Sequence, residues 1–101
     1  MFYIYILYSA GFDKFYIGYT NDYERRLFEH NTTDRTIYTS KYRPWILKSA
    51  FSCGTDKANA VKIEKFIKSQ KSRSFLEKLT DENFIPQGAL AQLVRVPHMR
   101  D

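Results

Sequence analysis

The sequence predicts a small α+β domain with elements in the order β-β-α-β-α-α. Two observations carry that order. Residues 2–8, "FYIYILY", and 14–19, "KFYIGY", are β-branched and aromatic runs separated by a short turn. Two further segments, starting near Asn21 and near Thr55, open with a helix-capping residue and repeat apolar residues every three to four positions. Two hairpin-joined strands and a third arriving after a helix suit helices packed on a small sheet.

The first run is apolar on both faces, as a central strand should be. It is too short to span a bilayer, and it lacks the basic start and small-residue cleavage site of a signal peptide. "SAGFD" then supplies turn residues, with Gly11 and Asp13. Gly18, inside the second strand, flags a close approach by another group. Asn21 is the expected N-cap of the first helix, with Glu24 returning a hydrogen bond, and that helix should run to about Asn31. Tyr23 and Leu27 share its sheet-facing side, and Asp22, Arg26 and His30 form a separate stripe. Residues 31–44 are polar and basic and read as a loop. "WILKSAFS", residues 45–52, is the third strand, and Thr55 or Asp56 caps a helix to about Gln70. Ser74 and Glu77 match a capping box for a last helix over 75–80. The domain would thus end near residue 82, leaving 83–101 as a tail punctuated by Pro86, Gly88 and Pro97 that docks or frays.

Composition limits the function classes. The 101-residue chain is one domain, able to bury roughly 60–65% of its unfolded surface. Lys and Arg outnumber Asp and Glu by 16 to 11, a net charge of +5 that favours a polyanionic partner such as nucleic acid over a membrane. The single cysteine, Cys53, rules out an internal disulfide and a thiolate zinc cluster. It reads as a packing residue at a strand end in a cytoplasmic protein.

Glu64 stands out. Its helical neighbours Ala60, Val61 and Ile67 are the apolar stripe, so its carboxylate points toward the core or its edge and needs compensation. Lys68, four residues on, offers an ordinary helix ion pair, with Lys57 and Lys71 on the same face. The other reading is a hard divalent cation, which a single carboxylate, waters and a substrate phosphate can hold. At the strand-to-helix corner, Arg26 has the planar fork that matches phosphate oxygens, whereas Arg25 reads as a surface partner of Glu29. Tyr5 and Tyr16 fall on adjacent strands, as core aromatics or as a proton acceptor whose pKa a cation would have to lower. His30 is either a surface histidine or a group exchanging protons near neutrality.

Taken together, "YIYIL", then "YIG" at Tyr16-Ile17-Gly18, then "ERRLFEH" and the later "AVKIEKFIK" resemble the GIY-YIG nuclease family over residues 2 to about 79. The likeness is greatest to its small stand-alone bacterial members. The resemblance implies a three-stranded antiparallel sheet flanked by helices, with the site on one face. It places the family's two tyrosines on Tyr5 and Tyr16, its helix arginine on Arg26, and its metal-binding glutamate on Glu64. His30 matches a position four residues past that arginine, and Gly18 closes the second motif, where backbone or phosphate can come close. Tyr16 is the favoured general base with Tyr5 as its hydrogen-bond partner, the reverse being the alternative. The chain departs from the family pattern at Tyr3, where a glycine is usual, and at Tyr19, where repair nucleases carry a lysine; Asn83 lies too far along to match the late asparagine.

The resulting expectation is a Mg²⁺- or Mn²⁺-dependent endonuclease acting on nucleic acid, DNA above all, of a repair or recombination type. Lys41 and Arg43 in the loop, with Lys57 and Lys68 on the second long helix, are the expected nucleic-acid contacts. The alternative is a module that binds nucleic acid on the same basic face without turnover. A third reading is a scaffold that meets a protein partner through the tail.

Overall fold

The computed structural model describes residues 1–32 and 37–97. Strands β1 (Tyr3–Ser9) and β2 (Lys14–Thr20) form the expected antiparallel hairpin, pairing from Tyr3↔Thr20 to Ser9↔Lys14. Helix α1 covers Tyr23–Thr32, α2 Ile37–Lys41, α3 Lys57–Ser69 and α4 Arg73–Thr80, with β3 (Ile46–Ser52) between α2 and α3. β3 runs antiparallel to the other side of β1, with a register shift between Ile6 and Leu7. The central place of β1 accounts for its apolar character on both faces.

The sheet departs from expectation in strand number. Among the described residues it has four strands, ordered β2-β1-β3-β4, because the tail contributes β4 (Val94–Arg95) beside Phe51 and Ser52. Two residues carry no alternation that a sequence pattern could reveal; the strand exists only through its pairing. The same segment buries Leu90 and Leu93, and Arg95 donates to the carbonyls of Leu79 and Asp81 while its guanidinium covers the Phe51 ring. The described part of the tail, residues 83–97, therefore docks; residues 98–101 lie outside the described residues.

Three local expectations shift. Asp22 rather than Asn21 caps α1, accepting from the Arg25 amide at 3.0 Å, and Asn21 instead takes the Arg25 guanidinium. Ser72 rather than Ser74 caps α4, accepting from the Phe75 amide. In both places two eligible capping residues lie side by side, and packing chooses between them. The expected loop over 31–44 holds the end of α1 and the short α2, while residues 33–36 lie outside the described residues. α2 is fastened by the buried Trp45, whose indole N–H donates to the Thr39 carbonyl. Asp56, one of the two expected caps of α3, accepts from the Ala58 amide.

Alternation along β1 divides the interior in two. Ile4 and Ile6 join Ile17, Phe51, Ile63, Ile67 and Leu79 beneath α3 and α4. Tyr5 and Leu7 join Trp45 and Ala50, with Tyr16, Tyr23 and Leu27 packed against them, beneath α1. Cys53 is buried in the first group at the end of β3, in the packing role its position suggested.

Candidate active site

The hairpin sets the first two groups. Tyr5 lies directly opposite Gly18, and its ring crosses over that residue: a Cβ at position 18 would sit 2.5 Å from the Tyr5 hydroxyl. The group that approaches Gly18 is therefore the first motif's own tyrosine, and the glycine is the only residue type that leaves room for it. Tyr16, two residues earlier and opposite Leu7, points to the same face, its ring centroid 6.3 Å from that of Tyr5.

Helix α1 supplies the polar groups. Spacing of four residues puts Arg26 and His30 on one stripe, as expected. His30 is buried behind Tyr5, with Nε2 hydrogen-bonded to the tyrosine hydroxyl at 3.0 Å and its ring edge-on to Tyr16. Burial, aided by the nearby Arg26 guanidinium, pushes the His30 pKa down to about 4, against a smaller opposing pull from Glu29. The imidazole is therefore neutral at pH 7, and its expected exchange of protons near neutrality gives way to holding the Tyr5 hydroxyl. Tyr5 itself is raised to about 12, chiefly by burial, with Arg26 pulling the other way. It stays protonated as a hydrogen-bonding group. Arg26 keeps its charge: burial opposes it, but hydrogen bonds with Glu29 and Tyr5 more than offset that. Its guanidinium donates to Glu29 Oε1 at 2.6 Å.

The third wall comes from α3. That helix packs on the opposite face of the sheet from α1, yet both reach the site because β2 is an edge strand. Glu64 and Lys57 come round that edge to meet Tyr5, Tyr16, Gly18 and Arg26 in one open, polar cleft of about 780 Å³. Lys68 Nζ lies 2.8 Å from Glu64 Oε2 and 5.9 Å from the centre of the Tyr16 ring. The helix ion pair foreseen for Glu64 thus forms, and it forms at the cleft.

The structure brings together Tyr5, Tyr16, Gly18, Arg26, Lys57 and Glu64, with His30 one layer behind and Lys68 at the rim. Lys41 and Arg43 lie elsewhere: Lys41 is stacked over Tyr42, and Arg43 Nε donates to the His30 carbonyl at the end of α1. Arg43 supports the helix that carries Arg26. Arg25 pairs with Glu29 at 3.7 Å, as expected, but also lines the cleft, as do Glu29, Thr20 and Asn21. The signal for Glu29 was its position three residues past Arg26, one helical turn away on the same face.

The donor chemistry fits a hard divalent cation. Among the described residues no three His, Cys, Asp or Glu side chains converge, so the protein offers no closed cage. It offers Glu64 in an open cleft, beside an arginine suited to phosphate that engages the cleft's other carboxylate, Glu29, and Mg²⁺ commonly binds through one or two carboxylates, waters and a substrate phosphate.

Comparison with known proteins places this architecture. Residues 1–79 match the GIY-YIG catalytic domain family. The chain is also 36% identical over 84 residues to a UPF0213 protein of Haloquadratum walsbyi, covering 80% of this chain and 92% of that protein. Among the described residues no helix is long and apolar enough to cross a membrane. With its hairpin, α1 and α3 all inside the matched segment, the chain belongs to the GIY-YIG family, whose domain is a nuclease-type catalytic domain acting on nucleic acid.

Proposed function

We propose that this protein is a divalent-metal-dependent endonuclease that hydrolyses phosphodiester bonds in DNA, of a repair or recombination type and working in the cytoplasm. The observation that supports it is the convergence of Tyr5, Tyr16, Arg26 and Glu64 on one open cleft. Arg26 meets the negative charge that builds on the phosphoryl oxygens, and its pairing with Glu29 holds its fork in the cleft. Tyr16, the less buried tyrosine, takes the proton of the attacking water as a phenolate and becomes the neutral phenol. Tyr5 stays protonated and, held by His30, offers a fixed hydrogen bond beside the reacting phosphate. Glu64 would hold Mg²⁺ or Mn²⁺, which when bound polarises the phosphate and stabilises the leaving oxygen. Lys57 adds positive charge for the strand.

The test is cleavage of a panel of DNA and RNA substrates with and without Mg²⁺ or Mn²⁺. Glu64→Gln and Tyr16→Phe should each lower the rate by about 10²–10⁴-fold. Equal cutting by wild type and both variants would overturn the proposal. A second reading, binding without turnover, draws on the Lys68 ion pair that engages Glu64. It requires salt-sensitive binding with no metal-dependent product and no response to Glu64→Gln.

A further inference from the structure

Beside the cleft lies a second concavity that the proposed chemistry does not use. It has a volume of about 330 Å³ and lies between β2, the end of α3 and the start of α4. Its lining is apolar, from Phe15, Ile17, Ile67 and Leu76, and two lysines, Lys68 and Lys71, stand over it. Lys71 is exposed and lies in the turn between the helices, where the chain takes a left-handed φ of 48°. The groove is continuous with the cleft through two residues. Tyr16 lines both, and Lys68 contacts the Tyr16 ring while pairing with Glu64 in the cleft.

We infer that this groove receives the unpaired nucleobase next to the phosphodiester held in the cleft, with Lys68 and Lys71 taking the flanking phosphate. The inference rests on the nuclease reading above and specifies its substrate class. A phosphodiester in the cleft brings a base on each side of it, and the neighbouring concavity joins an apolar, partly aromatic lining to a positive rim. That pairing of surfaces matches a base and its phosphate. Its volume falls at the lower end of the roughly 300–1,000 Å³ usual for small-molecule sites. A base stacked and paired within a duplex cannot enter such a slot, whereas an unpaired one can turn out of its strand. The preferred substrate is then single-stranded, or carries a flap, gap or frayed end at the scissile position.

The test is binding of the whole chain, by fluorescence anisotropy in EDTA so that nothing is cut. The probes are a short single-stranded DNA, a blunt duplex of the same sequence, and an abasic strand of equal length and charge. The wild type should prefer the base-bearing single strand over both others by about tenfold. Leu76→Ala should shrink that preference toward one, whereas Lys71→Ala should weaken the base-bearing and abasic strands alike. The wild-type comparison stands even where a variant folds poorly. Equal affinity for the abasic and base-bearing strands overturns the inference, and is also the result if the groove takes a protein side chain. If duplex is bound as tightly as the base-bearing single strand, the nuclease reading survives and this inference falls. If no nucleic acid binds, both fall.

Discussion

Along β1, Ile4 and Ile6 face α3 and α4, while Tyr5 and Leu7 face α1. The first side is a largely apolar interior, built on aliphatic side chains and Phe51. The second has a buried histidine and a buried tyrosine hydroxyl, bonded to each other, within reach of an arginine. One strand thus serves a dry core through its even residues and a polar site through its odd ones. The stiff side holds the sheet so that the polar side keeps its geometry, and the two should fail in different ways when perturbed.

The largest effect is expected on the dry side. Ile6→Ala should cost about 2–5 kcal/mol in chemical denaturation, through lost burial and a cavity. The fraction that remains folded should keep the pH response of the other side, which separates the two faces. On the polar side, the depressed His30 pKa ties stability to acidity. Stability from the neutral imidazole is complete above its unfolded pKa near 6.5 and is lost as pH falls toward about 4, by about 3 kcal/mol at most. Thermal melts between pH 7 and 4 should show the slope, and His30→Gln should flatten it. Gly18→Ala would drive a methyl group against the buried Tyr5 ring, costing about 1–3 kcal/mol with a parallel loss of cleavage. Tyr5→Phe removes the hydroxyl that bonds to His30 and should cost about 0.5–1.5 kcal/mol for that bond, read from the same melts. Smallest of all, Lys41→Ala, at an exposed residue outside the cleft, should stay within about 0.5 kcal/mol and leave DNA affinity close to wild type.

How far the sequence alone could foresee this depends on the range of each interaction. β1, β2, β3 and α3 were legible because their patterns are local and unbroken. Glu64 was legible as a carboxylate on an apolar stripe, and Lys68 as its helical neighbour. The contact between Tyr5 and His30 was not, since it joins residues 25 positions apart and depends on how α1 lies on the sheet. The function of Gly18 changed from admitting a ligand to admitting Tyr5, because a cross-strand partner is visible only once register is known. Arg43 carried the basic signature of a nucleic-acid contact but is turned to the backbone of α1, which charge counting cannot distinguish. β4 and α2 escaped because both are short and lean on partners outside themselves, Phe51 for one and Trp45 for the other.

Arg95 and the strand it lies on have a consequence for anyone trimming this protein. The family match stops at residue 79, yet Val94 and Arg95 cap one flank of β3, and Leu90 and Leu93 plug the aliphatic interior. A chain cut at the family boundary would leave Phe51 uncovered and the backbone donors of β3 open to strangers. The packed structure thus runs past the end of the family match, and a shortened version should be prone to strand-to-strand self-association before any question of catalysis arises.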